Sequence, residues 1–183
     1  MRRRLLAAGA RPGFAGIMLD RRFDRQGELL ARDEVLRLRI YRHPDGRQEN
    51  VLAWKGPVSV SPQGYKARQE LELELQGPGA KPEELLGALG YLAIQTIERY
   101  VEYFHLDEAV VRLEWYPRMD VLVEVEGDEA GIEAALRVIG LPRETFSSEP
   151  LPAFVSRYGA RTGRPAALVT AELEGAAPAW ERR

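Results

Sequence analysis

An α+β fold built on a largely antiparallel sheet, closed into a β-barrel with helices packed outside, is what this chain of 183 residues predicts. Two observations lead there. Three segments place charge at every second residue: Leu36-Arg37-Leu38-Arg39, the run from Arg68 through Glu70, Glu72 and Glu74, and Val123-Glu124-Val125-Glu126. Side chains alternate faces along a strand, so each segment puts its charges on one face and its aliphatics on the other. The elements come as strands, helix, strands, helix, helix with short connections, an order typical of α+β folds. Closing the sheet would turn the charged faces into a wet interior and lay the aliphatic faces outward under the helices. The plainer alternative is a half-buried sheet that shows water its polar face, with exposed cross-strand pairs contributing at most about 1 kcal/mol each.

The elements follow in order. Residues 2–8 read as the last turns of a helix, stopped by Gly9 and Pro12. The three arginines before Leu5 and Leu6 superficially suggest a signal peptide, but Arg11-Pro12 cuts the apolar stretch short. Residues 16–23 read as a strand and 24–28 as a turn. Asp33 begins a brief excursion before a strand over 35–41, which ends at the hairpin signal His43-Pro44-Asp45-Gly46. The return strand, 50–55, closes at Gly56-Pro57, and the acidic strand covers 64–75. Pro78 to Pro82 breaks the pattern, and Pro82-Glu83-Glu84 opens a helix with Leu85, Leu86 and Leu89 as its apolar positions. Strands are expected over 94–103, 110–115 and 121–125, then a helix over 128–139 ended by Gly140. A short helix at 153–158 precedes a stretch rich in Ala, Pro, Glu and Arg. The expected division is therefore one domain over 1–162 and a flexible tail over 163–183.

Composition narrows the chemistry. With 45% hydrophobic and 30% charged residues and a formal net charge of -2, overall charge gives no footprint for nucleic acid. A phosphate site must come from local clustering of Arg and Lys. There is no cysteine, and His43 and His105 are the two histidines, so thiolate and polyhistidine metal sites are excluded. Carboxylates are the donors available in number, and they suit hard ions such as Mg2+ or Mn2+. No run approaches transmembrane length, and a cytoplasmic location is expected.

Taken in order, the motifs resemble the CYTH superfamily, named for class IV adenylyl cyclases and thiamine triphosphatases and also called triphosphate tunnel metalloenzymes. The matching pieces are Asp20-Arg21-Arg22-Phe23-Asp24, Leu36-Arg37-Leu38-Arg39, Trp54-Lys55-Gly56-Pro57, Arg68-Gln69-Glu70-Leu71-Glu72, Leu89-Gly90-Tyr91, Ile97-Glu98-Arg99, Leu113-Glu114 and Val123-Glu124-Val125-Glu126-Gly127, with Ser156-Arg157-Tyr158 near the end. The Lys-Gly-Pro and Leu-Gly elements lean toward the cyclase-like branch.

The resemblance implies an eight-stranded antiparallel tunnel that binds the triphosphate of its substrate. By position it implies Arg37, Arg39, Lys55 and Arg68 as phosphate contacts, with Arg99 behind them. It implies Glu70 and Glu124 as catalytic carboxylates that orient water, and Glu72, Glu114, Glu124 and Glu126 as ligands of Mg2+ or Mn2+. These residue types suit such chemistry, because Arg offers a planar fork to phosphate oxygens, Lys offers a point charge, and a bridging cation neutralises the transferred group.

Two departures stand out. The family's Glu-x-Glu-x-Lys first strand would precede Arg2, so the expectation is a start placed too late or a shortened homologue. Val101 stands where many relatives carry a further basic residue.

The expected reaction is metal-dependent cleavage of a phosphoanhydride, by a triphosphatase or a class IV adenylyl cyclase. The alternative is a non-catalytic polyphosphate or triphosphate sensor. Expected partners are a triphosphate-bearing small molecule (ATP, thiamine triphosphate or tripolyphosphate) and a second copy of the chain, with no nucleic acid and no membrane. Glu98 and Glu102 are expected at the surface, and Trp54, Trp115 and Tyr116 as packing residues.

Overall fold

The computed structural model describes residues 1–62, 64–75 and 81–182. Part of the break expected from Pro78 to Pro82, residues 78–80, lies outside them. The elements in chain order are α1 (Arg2–Ala7), β1 (Arg11–Asp24), α2 (Glu28–Ala31), β2 (Val35–Arg42), β3 (Gln48–Lys55), β4 (Ser59–Val60), β5 (Lys66–Ala67), β6 (Glu70–Leu75), α3 (Pro82–Ala88), β7 (Leu92–Leu106), β8 (Ala109–Trp115), β9 (Leu122–Glu126), α4 (Glu129–Ile139) and α5 (Leu151–Thr162). Seven strands form a sheet in the order β6-β3-β2-β1-β7-β8-β9, while β4 and β5 make a separate two-stranded ribbon.

The sheet is open, which corrects the expected closed barrel. Closure requires the two outer strands to pair with each other, but β6 pairs with β3 and β9 with β8, each having one sheet neighbour among the described residues. The physical reason for the misreading is simple. Alternation specifies which side chains share a face, whereas closure depends on which backbone edges meet, and every strand offers the same edge groups.

Two compact units divide the chain: Met1–Gly16 with Arg99–Arg183, here the first unit, and Ile17–Glu98, the second. In the second unit the register pairs Leu38 with Arg21 and Leu52, and Ile40 with Leu19 and Asn50. One face thus gathers Leu19, Phe23, Leu38 and Ile40 under Leu86 of α3, with Leu36, Leu52, Leu75 and Tyr91 at the margin. Each fully buried aliphatic of this kind contributes roughly 1.5–3 kcal/mol. The turn expected over 24–28 contains the start of α2. Asp24 accepts hydrogen bonds from the backbone N–H groups of Arg25 (2.6 Å), Leu29 (3.1 Å) and Leu30 (3.1 Å), which satisfies donors that a four-residue helix leaves open. The acidic strand is shorter than expected because the β4–β5 ribbon takes up its first part.

In the first unit, Phe104, Leu106, Val111 and Leu113 face Ala135, Leu136 and Ile139 of α4 and Leu5 of α1. Local chemistry sets α4. Asp128 caps its N-terminus by accepting from Gly131 N at 2.7 Å, and Gly140 ends it at φ +66°. The β9–α4 junction also needs a glycine: Gly127 sits at φ +153°, and a Cβ there would lie 2.7 Å from the Glu108 carbonyl oxygen.

Glu102 is not at the surface as expected. It lies buried among the apolar side chains of β7 and is ion-paired with Arg2, whose guanidinium stacks 5.7 Å from the Trp115 ring centre. The pairing permits burial, because a carboxylate leaves water only when a partner offsets the loss. Residues 163–182, where composition suggests a tail, carry 3-10 turns at Thr170–Leu173 and Ala179–Arg182 and bury Ala167, Leu173 and Trp180. A backbone bridge ties Arg118 to Ala167.

Candidate functional site

Each unit presents a strand face opposite its apolar core, and the charged side chains collect there. In the second unit, register puts Arg22 directly across from Arg37 and Asp20 across from Arg39. Residues opposite one another in an antiparallel pair share a face, so these four project together. Asp20 is buried and holds both strand-β2 arginines: its Oδ1 lies 3.0 Å from Arg39 Nε and 3.4 Å from Arg37 Nε. Arg39 also donates to the Tyr41 hydroxyl at 3.1 Å. Arg22 donates to Gln95 Oε1 at 3.2 Å, while its Nε is buried with no hydrogen-bond partner. One carboxylate therefore sits among three guanidiniums.

Further along the same face, Ala53 pairs with Arg37 and Glu72, and Lys55 with Glu70. Lys55 Nζ meets Glu70 Oε1 at 2.6 Å. Glu70 and Glu72 lie on exposed β6, as does Glu74. Arg68 is placed differently from the expected phosphate set. It lies between β5 and β6, with its guanidinium 2.9 Å from Asp33 Oδ1.

The first unit shows the opposite balance. Register puts Glu114 across from Val101 and Leu122, and Arg112 across from Tyr103 and Glu124. Arg112 reaches Glu124 at 3.1 Å, also pairs with Glu126, and stacks 4.9 Å from the Tyr103 ring centre. Deeper in, the Tyr116 hydroxyl donates to Glu114 Oε2 at 2.7 Å, and Arg99 Nε lies 3.3 Å from Glu114 Oε1. Burial pushes the Glu114 carboxyl above the usual range, against the opposing pull of Arg99. Burial likewise raises the Tyr116 phenol, with the Glu114 charge adding to it, so the phenol stays protonated and remains a donor.

The carboxylates do not assemble around a divalent ion. Among the described residues no group of three Asp, Glu or His side chains gathers as a metal site. Glu124 and Glu126 both engage Arg112, Glu114 engages Arg99 and Tyr116, and Glu72 lies on the exposed β6 of the second unit. In this arrangement the expected ligands do not fit Mg2+ or Mn2+.

The structure thus brings Arg37, Arg39, Lys55, Glu70 and Glu72 onto one face of the second unit, and Arg99, Glu114, Glu124 and Glu126 onto one face of the first. Asp20 and Arg22 stand in the first matching motif without an expected role, and Arg112 is a site residue that the sequence reading does not name. A signal for them exists, since Asp20 and Arg22 alternate with Arg21 and Phe23 on β1, and Arg112 and Glu114 alternate with Leu113 on β8.

No family model matches the chain, and no curated protein does. Solved structures do. A proposed adenylate cyclase of Vibrio parahaemolyticus superposes with a TM-score of 0.65 at 16% identity, covering 85% of this chain and 92% of that one. The PH1012 protein of Pyrococcus horikoshii OT3 gives 0.64 at 18%, covering 84% and 90%. HpAC1 of Hippeastrum, a proposed adenylyl cyclase that reveals a dominant triphosphatase activity, gives 0.57 at 16%, covering 84% and 89%. By this likeness the chain shares the fold of these proteins.

Proposed function

We propose that the chain acts on a triphosphate-bearing small molecule and cleaves a phosphoanhydride in it. The observation that carries this reading is the juxtaposition of Arg22 and Arg37 across neighbouring strands, with Arg39 beside them and Asp20 as their shared carboxylate. Like charges directly opposite one another destabilise a sheet, and a polyanion removes that cost. Guanidinium forks match phosphate oxygens in pairs, so Arg22, Arg37 and Arg39 are the phosphate-binding core, with Lys55 and Arg68 as flanking contacts once they leave Glu70 and Asp33.

In the hydrolytic version, water attacks the terminal phosphorus, the bond to the bridging oxygen breaks, and its electron pair leaves with the diphosphate. The arginines stabilise the charge that accumulates on those oxygens. Glu70, on the same face as the arginines, orients that water and takes its proton. In the cyclising version the 3′-hydroxyl of ATP attacks the α-phosphorus and pyrophosphate leaves. The HpAC1 likeness supports the hydrolytic version.

A second reading, metal-independent binding of polyphosphate, is favoured by one observation: Arg112 occupies two of the four carboxylates expected to hold the ion. Phosphorus NMR with ATP and with tripolyphosphate, each with and without Mg2+ or Mn2+, separates the readings. Orthophosphate release supports the hydrolase, and cyclic AMP with pyrophosphate supports the cyclase. Tight binding without turnover supports the sensor, and neither binding nor turnover defeats all three.

A further inference from the structure

A cavity of about 370 Å3 opens in the first unit where the turn after β8, helix α5 and the C-terminal segment meet. Arg118, Arg164 and Arg182 line it, and among the described residues no acidic side chain does. Its remaining wall is apolar or small, built chiefly on Met119, Leu173 and the Tyr158 ring. The wall is held in place by backbone hydrogen bonds: Arg118 N to the Ala167 carbonyl at 3.2 Å, Ala167 N to the Arg118 carbonyl at 2.8 Å, and Ala179 N to the Pro117 carbonyl at 2.9 Å. Arg118 Nε donates to the Pro165 carbonyl at 3.0 Å, which orients its terminal nitrogens. Neither Arg164 nor Arg182 forms an ion pair with a carboxylate among the described residues, whereas neighbouring Arg161 is held by Asp120 at 2.5 Å.

We infer that this cavity binds a small organic oxyanion, with its phosphate or carboxylate head on the three guanidiniums and its compact apolar body against Met119, Leu173 and Tyr158. Three like charges around one concavity repel each other until an anion arrives, and guanidinium forks suit either oxyanion. The apolar floor adds affinity for a body that inorganic phosphate lacks. The volume falls at the low end of small-molecule pockets, about 300–1,000 Å3, so the guest is a small metabolite. None of the lining residues belongs to the faces proposed to hold a triphosphate, so the two assignments stand or fall separately.

The test uses the full chain with phenyl phosphate, benzoate and inorganic phosphate as probes, followed by calorimetry and by NMR shifts of Tyr158 and Met119. One aromatic probe should bind roughly tenfold or more tighter than inorganic phosphate, and the stronger of the two identifies the head group. The exposed pair Arg164→Ala with Arg182→Ala should weaken it roughly tenfold or more while tripolyphosphate affinity stays unchanged. The inference is overturned if neither aromatic probe binds, if the double variant binds it as tightly as the parent, or if tripolyphosphate displaces it from the parent protein.

Discussion

The two charged faces are built on inverted triads. In the second unit one carboxylate, Asp20, is shared by Arg37 and Arg39, with Arg22 adding a third guanidinium; in the first unit one guanidinium, Arg112, is shared by Glu124 and Glu126. The first arrangement leaves surplus positive charge and the second surplus negative charge. Depth differs as well. Asp20 and the Arg39 side chain are 4% and 6% exposed, whereas the Glu124 and Glu126 side chains are 47% and 41% exposed. A buried triad depends on every member, while carboxylates half-exposed to water are solvated even without their cation. The positive face therefore holds its charges away from water, whereas the negative face shows its carboxylates to solvent around a largely buried arginine.

The contrast predicts unequal responses to substitution. Asp20→Asn should have the largest effect, lowering stability by about 3–5 kcal/mol because two largely buried guanidiniums lose their carboxylate. Urea unfolding measures this, and tripolyphosphate should restore more stability to the variant than to the parent, since its charge replaces the one removed. Arg22→Gln and Arg39→Gln should each weaken tripolyphosphate binding roughly 10–100-fold by calorimetry, an effect that Arg112→Gln should not share. Equal losses from all three would remove the distinction between the faces.

Arg112→Met should cost only about 1 kcal/mol in stability, given the exposure of its partners. It should also free Glu124 and Glu126 for Mn2+, visible as an electron paramagnetic resonance signal lost on binding. Unchanged Mn2+ binding would show that the arginine is not what holds these carboxylates.

The smallest effect concerns Asp24. Although burial pushes its carboxyl up, three backbone N–H donors prevail and hold it below the usual range. A depressed folded value means that the stability it contributes is present above the ordinary carboxylate range and is lost as pH falls through the folded value. Asp24→Ala should lower the Tm by a few degrees at neutral pH, with the difference from the parent vanishing in acid. A thermal melt at each pH checks both halves of the statement.

Much of the molecule is legible from local chemistry. The Pro-Asp-Gly hairpin, the Asp128 cap and Gly140 terminator of α4, and the start of α3 at Pro82 all act within a few residues of themselves, and each stands where the sequence puts it. Alternation also assigned faces correctly, since Arg37, Arg39 and Lys55 lie opposite Leu36 and Leu38. Partnership was another matter. Glu102 reads as a surface residue from β7 alone, because its partner Arg2 lies 100 positions away in the chain. Arg112 draws no notice until β9 is paired beside it.

Period, turn type and capping were thus written along the chain, because each depends on backbone geometry that neighbouring residues impose. Edge pairing and the choice of counter-ion emerged only in three dimensions. Every strand carries the same edge hydrogen-bonding groups, and any carboxylate suits any guanidinium, so neither the open sheet nor the two inverted triads could be singled out before distant strands met in register.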